Sequence, residues 1–209
     1  SMREYQDKQT QALEARVSSG SEAARKILAD WIQEHHRNVH ILSTLIGNPN
    51  TNTYEDMQHY VEIVKSATPA FRGMGVFNRD SIAVSYSPLE QDGKPTVGVD
   101  MSARSHIAVM RRDKAPYITD VLMSKLGAPT PIVIFVAPII LAGEYEGYCS
   151  GVVETSQISV LLRNLAGQNI QLTVVDGHNR VVVSTIPGLN TMDPFPRPYN
   201  ESRGTVDST

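Results

Sequence analysis

Pro131 to Thr155 reads PIVIFVAPIILAGEYEGYCSGVVET, and this stretch commits the chain to an antiparallel sheet. PIVIFVAPII is a continuous apolar run rich in β-branched residues and reads as a strand, AGEYEG as a turn, and YCSGVVET as a second strand. Strands joined by so short a link are antiparallel neighbours. The longest apolar stretch, Pro131 to Ala142, is too short for a membrane helix and is broken by Pro138. With 209 residues and 41% hydrophobic side chains, the chain supports one good core or two small ones.

The flanking segments supply helices and further hairpins. From Arg3 to Ile46 there is no proline, and Ile27, Leu28, Trp31, Ile32, Val39, Leu42, Leu45 and Ile46 recur at helical spacing. The pattern predicts one long helix, ended by GNPN. Its first half, with only Leu13 and Val17 as large aliphatic residues, is too polar to be wrapped by a core. That half is expected to fray on the surface or to pair with a second copy. TNTYEDMQHYVEIVKSATP predicts a second helix, with Thr53 or Asn52 as N-cap, Glu55 and Asp56 in its first turn, and Pro69 at its end. FRGMGVF, NRDS and IAVSYS predict a hairpin. Asp100 is placed to cap a short helix, MSARSHIAVM, and YITDVLMSK is β-competent. SQISVLLRNLAG predicts a helix stopping at Gly167, and IQLTVVDGHNRVVVST a hairpin turning at Asp176-Gly177. The expected class is α+β: a long N-terminal helix on an antiparallel sheet of about five strands, with helices collected at one side.

Composition and motifs narrow the function. A net charge of -3 and a pI near 6.1 argue against a nucleic-acid partner, which demands a concentrated basic face. The lone Cys149 cannot form an internal disulfide and reads as a small buried hydrophobe. The chain lacks G-x-S-x-G, H-E-x-x-H, P-loop and G-x-G-x-x-G motifs, so neither an enzyme nor a cofactor is expected. His36 and His40 lie one helical turn apart, the spacing of a metal clamp, but no third ligand stands at a fixed spacing, and no metal is expected. Ser1 before Met2 and the unanchored end NESRGTVDST suggest a piece of a longer protein.

Three landmarks, D-M-S-A-R-S-H, the A-P-I strand before a glycine hairpin, and G-V-V-E before a helix, together with L-T-V-V-D-G, carry a resemblance to the Cache family. These are the PAS-like extracytoplasmic sensor domains of bacterial and archaeal receptors, and the likeness to the double-Cache type covers roughly residues 20 to 190. It implies a long helix over 1–50, a membrane-distal PAS-like module over 51–168, and over 169–209 either a closing hairpin or the truncated start of a second module. It also implies an extracytoplasmic location, a membrane-anchored full-length protein ending in a histidine kinase, chemoreceptor or diguanylate cyclase output, and a homodimer formed through the N-terminal helix.

The candidate site centres on VGVDMSARSHIAVMRRDKAP. Over the concave face of an antiparallel sheet, Arg104 would offer a planar fork of donors to a ligand carboxylate, and His106 could bond the same ligand. The alternative for Arg104 is a structural arginine, solvated or paired internally. Tyr117, Phe135 and Tyr148 are candidates to line the pocket, and Glu154 to pair either with a ligand ammonium or with Arg104. In the amino-acid-binding branch of the double-Cache sensors, the resembling positions hold an arginine, aromatics just after it, and an acidic residue. Here His106 and Ile107 stand where the aromatics are expected. The expected ligand is a small carboxylate or other small polar organic molecule, with an α-amino acid as one possibility. The competing reading is a ligand-free dimerisation or partner-docking module.

Overall fold

The computed structural model describes residues 13–19, 22–51, 53–167 and 169–196. The chain begins with β1 (Leu13–Ser19), α1 (Glu22–Ile46), α2 (Tyr54–Ser66), β2 (Gly73–Asn78) and β3 (Ala83–Ser87). Next come β4 (Glu90–Gln91), β5 (Lys94–Pro95), α3 (Ser105–Asp113), β6 (Tyr117–Ile118) and β7 (Leu122–Met123). The last elements are β8 (Pro131–Leu141), β9 (Glu144–Glu154), α4 (Thr155–Ala166), β10 (Gln171–Asp176) and β11 (Val181–Ser184).

The apolar hairpin is the centre of the main sheet. Its strands run in the order β3-β2-β9-β8-β6, with β7 also on β8, and every pair is antiparallel. This is the expected antiparallel sheet of about five strands, with one short addition, β7. The turn between β8 and β9 is only Ala142 and Gly143, both at positive φ, as a tight two-residue hairpin of matching twist requires. Tyr145 and Glu146, expected in the turn, therefore belong to β9.

Side chains alternate across a strand, so each strand feeds two cores. One face of the sheet carries Met74, Val76, Val133, Phe135, Ala137, Cys149 and Val153. Leu28, Ile32, Val39, Leu42 and Ile46 of α1 and Ile158 and Leu162 of α4 close over it, recurring at the three-, four- and seven-residue spacing of one helix face. Each fully buried Leu or Ile here contributes about 2 kcal/mol. The opposite face carries Phe77, Ile132, Ile134, Val136 and Tyr148, covered by Ile107 and Met110 of α3. The helices are therefore not all on one side, because α3 crosses to the other.

The N-terminal segment departs from expectation. The helix begins at Glu22, and Leu13–Ser19 is a strand paired with β10, Leu13 facing Asp176 and Val17 facing Leu172. LEARV alternates apolar and polar residues, so a strand buries Leu13 and Ala15 on one side, where a helix would scatter them. The helix expected over residues 3–12 lies outside the described residues. The hairpin β10–β11 does not join the main sheet; it forms a three-stranded sheet in the order β1-β10-β11. Leu172, Val174 and Val182 of this second sheet share the core of α1 and α4.

Candidate functional site

Arg104 is placed by a tethered loop. Val99 and Met101 hydrogen-bond to the β2–β3 hairpin, and the Arg104 amide donates to the Met101 carbonyl at 3.1 Å. α3 starts at the next residue, with Arg104 at the N-cap position and no side-chain cap. Asp100 is not the cap expected: its carboxylate accepts from the Ser102 amide at 2.8 Å, a local turn one step earlier, and hydrogen bonding from Ser102, its hydroxyl first and its amide second, holds the Asp100 pKa low.

α3 and the segment 124–126 enclose a cavity of about 40 Å³ against the sheet. That is room for about three water-sized groups, with more space at its open side. The floor comes from one face of β2, β9 and β8. Phe77 and Tyr148 stack with centroids 4.6 Å apart, Tyr86 meets Phe77 edge-on, and Ser150, Val152, Ile132 and Ile134 complete the floor. Gly73 and Gly75 make room for Tyr86: a Cβ on Gly73 would lie 2.2 Å from its hydroxyl, and one on Gly75 2.3 Å from its ring.

Three cations, Arg72, Arg104 and Lys125, line the cavity, and among the described residues none of those lining it carries a carboxylate. Arg104 is half-buried; its Nη2 donates to the Met123 carbonyl at 2.9 Å, while its buried Nε has no hydrogen-bond partner among the described residues. Burial lowers its pKa, and a guanidinium stays charged regardless. His106 is buried edge-on to Tyr148, and burial, with the charge of Arg104, pulls its pKa down to about 4, so it is neutral at pH 7. Burial pushes Tyr86 up to about 12 and Tyr148 well above its ordinary value, which keeps both hydroxyls protonated.

Of the residues singled out from the sequence, Arg104, His106 and Tyr148 meet in this cavity. Phe135 does not line it. It is on the other face of β8, against Phe71, His35 and His36, since parity along the strand sends it toward α1. Tyr117 is half-buried on β6 and packs against the apolar cluster under α3 without lining the cavity. Glu154 pairs with neither Arg104 nor the cavity: its Oε1 accepts from Arg72 Nη1 at 3.3 Å and its Oε2 from Ser156 Oγ at 3.4 Å. It holds the N-cap position of α4 without a capping bond. Sequence reasoning missed Arg72, Tyr86 and Lys125. The alternating glycines of GMG, which clear one strand face for a ring, were the available signal for Tyr86.

One segment links the cavity to the second sheet. The carbonyls of Met123 and Leu126 accept from Arg104 and Arg72 respectively. A few residues earlier, Val121 is gripped from β10: its amide donates to Asp176 Oδ2 at 3.2 Å and its carbonyl accepts from Arg180 at 3.2 Å. Asp176 also accepts from the amides of His178 and Arg180 and from Arg180 Nε, and His178 meets Asp120. On the outer side of α3, Arg104 borders an open groove with Arg79, Arg111 and Arg112. Those three are engaged, by Glu146, by the Arg79 carbonyl and the Tyr145 ring, and by Asp113. No group of three or more metal-ligating side chains occurs among the described residues.

No family model matches the chain, and no curated protein does. Solved structures do. The ligand-binding domain of the Pseudomonas fluorescens chemoreceptor CtaA in complex with L-valine is 14% identical with a TM-score of 0.64, covering 92% of this chain and 80% of that one. The ligand-binding domain of the Pseudomonas aeruginosa amino acid chemoreceptor PctB, in complex with L-Gln, is 14% identical with a TM-score of 0.66, covering 83% and 68%. The extracellular domain of a proposed histidine kinase is 14% identical with a TM-score of 0.65, covering 93% and 74%. At such identity the likeness is one of fold.

Proposed function

We propose that this chain, which has the Cache-type fold of chemoreceptor and histidine-kinase sensor domains, is the extracytoplasmic ligand-sensing part of a membrane-anchored signalling receptor. Its ligand is a small organic carboxylate held over Arg104. The observation that carries this reading is the charge of the cavity. Arg72, Arg104 and Lys125 line it, and among the described residues only Arg72 of the three is held by a carboxylate, that of Glu154, the Arg104 Nε has no hydrogen-bond partner and no lining residue carries a carboxylate. Such a site lowers its free energy by taking an anion, and the guanidinium fork fits a carboxylate. His106 and the hydroxyls of Tyr148 and Ser150 offer uncharged hydrogen-bonding groups beside it. The role proposed is binding: Ser124 and Ser150 line the cavity, and among the described residues neither hydrogen-bonds to a side-chain base that would activate it.

A signal requires the ligand to favour one arrangement over another. A carboxylate on Arg104 competes with the Met123 carbonyl, and the segment bearing that carbonyl is held at Val121 by Asp176. The second sheet, in this reading the start of a second module over 169–209, therefore feels the occupancy of the cavity. No helix among the described residues is long and apolar enough to cross a membrane.

The test is a thermal-shift screen of organic acids, amino acids and amines on wild type and Arg104→Ala. A carboxylate that raises the melting temperature of the wild type alone supports the reading. Stabilisation that survives the substitution unchanged moves the site elsewhere. One observation favours a docking or dimerisation role for α1 as well: Ile27 and Ile41 are 51% and 44% exposed, two heptads apart on one helix. Sedimentation of the wild type and an Ile27→Glu, Ile41→Glu variant tests it, a dimer lost in the variant being the expected result.

A further inference from the structure

We propose that Arg72 makes the site selective for carboxylates that lack an α-ammonium, an inference that rests on the cavity over Arg104 being the carboxylate site. An ammonium beside a bound carboxylate needs an anionic acceptor, and the acid placed to serve is Glu154. It shares a strand face of β9 with Tyr148, Ser150 and Val152, which line the cavity. Arg72 takes it away. Its guanidinium, 13% exposed, holds Glu154 Oε1 at 3.3 Å and donates to the Leu126 carbonyl as well, while Ser156 Oγ occupies Oε2. Two nearby carbonyls are engaged in the free protein, Met123 by Arg104 and Leu126 by Arg72, and the hydroxyls and His106 that line the cavity carry no negative charge to neutralise an ammonium. An incoming ammonium thus meets guanidinium charge where it needs a carboxylate, and the uncharged acceptors around it compensate the loss of its hydration only in part. A deaminated acid has no such group to desolvate.

Calorimetric titration at pH 7.5 with four matched pairs tests this: acetate and glycine, propionate and L-alanine, butyrate and L-2-aminobutyrate, succinate and L-aspartate. The expected result is that at least one deaminated acid binds wild type, and that its amino counterpart binds at least about tenfold more weakly, as a buried charge compensated only in part demands. Arg72→Met should free Glu154 and shift that ratio toward the amino acid by at least about tenfold, and adding Glu154→Gln should return it. Glu154→Gln alone, which leaves Arg72 without its counter-ion, should keep or widen the wild-type preference for the deaminated acid, which keeps a test in hand should Arg72→Met fail to fold. An amino acid that binds wild type as tightly as its counterpart overturns the proposal, as does a folded Arg72→Met with the wild-type ratio, or a ratio that Glu154→Gln alone moves toward the amino acid. If none of the eight compounds binds, the carboxylate site itself is refuted and the selectivity with it. Binding of amino acids through Arg104 refutes the selectivity alone.

Discussion

His36 lies on the buried face of α1, 6.5 Å from the ring of Phe135, and its Nδ1 has no hydrogen-bond partner among the described residues. Burial, with a smaller contribution from His40 one turn on, pulls its pKa down to about 4 from an ordinary 6.5. The unfolded chain therefore takes up a proton at a pH where the folded chain does not, and stability falls as pH drops from about 6.5 to about 4. With those two values, the ratio of proton binding in the two states costs the folded protein about 2 kcal/mol at pH 5 relative to pH 8. His106, also pulled down to about 4, adds a similar cost, and burial lowers His35 in the same direction. Together His36 and His106 remove about 4 kcal/mol between pH 8 and pH 5, a large share of a typical folding free energy. Urea unfolding of wild type and His36→Leu at both pH values isolates the one residue, because carboxylate titration is common to both proteins. The variant should lose about 2 kcal/mol less than wild type on acidification, or about 1 M in the urea midpoint at an m-value of about 2 kcal/mol/M. A variant with the full wild-type difference between the two pH values would refute the assignment of that loss to a histidine held neutral by burial.

Three further outcomes follow from packing and hydrogen bonding. Gly75→Ala puts a methyl group 2.3 Å from the Tyr86 ring, so the ring must lift off β2; the expected loss is about 1–3 kcal/mol by thermal or urea unfolding, with weaker carboxylate binding. Asp176→Asn removes the buried charge that holds Val121 and Arg180, and should cost about 2–4 kcal/mol and speed amide exchange selectively over residues 119–126. Uniform exchange across the chain would count against the grip described for that segment. Cys149 is fully buried in β9 and burial raises its thiol pKa, so iodoacetamide should label it in denaturant and leave it unmodified in the native protein.

The elements that were legible in the sequence are those specified by their own residues. GNPN stops α1 at Ile46, Thr53 accepts from the Asp56 amide at the start of α2, Gly167 follows α4, and Asp176-Gly177 turns the last hairpin. Arg104 and His106 stood out because a guanidinium and an imidazole follow a turn with no acid beside them in the chain. A continuous apolar run, by contrast, carries no face information: PIVIFVAPII does not reveal which parity meets α1, so Phe135 was read as a pocket residue when it packs in the helical core.

By itself the sequence determined most of the helices and the antiparallel hairpins, because caps, turns and periodicity act within a few residues. Only the tertiary structure decided that Leu13–Ser19 is a strand, because its partner β10 stands at the far end of the chain and supplies the hydrogen bonds that a polar helix would have made internally. It also decided the partner of Glu154. Arg72 and Glu154 are 82 residues apart and meet because the Arg72 amide bonds the Val152 carbonyl beside β9, and the charge left in the cavity depends on that meeting. Electrostatic energy depends on distance through space, which the order of residues along the chain does not state.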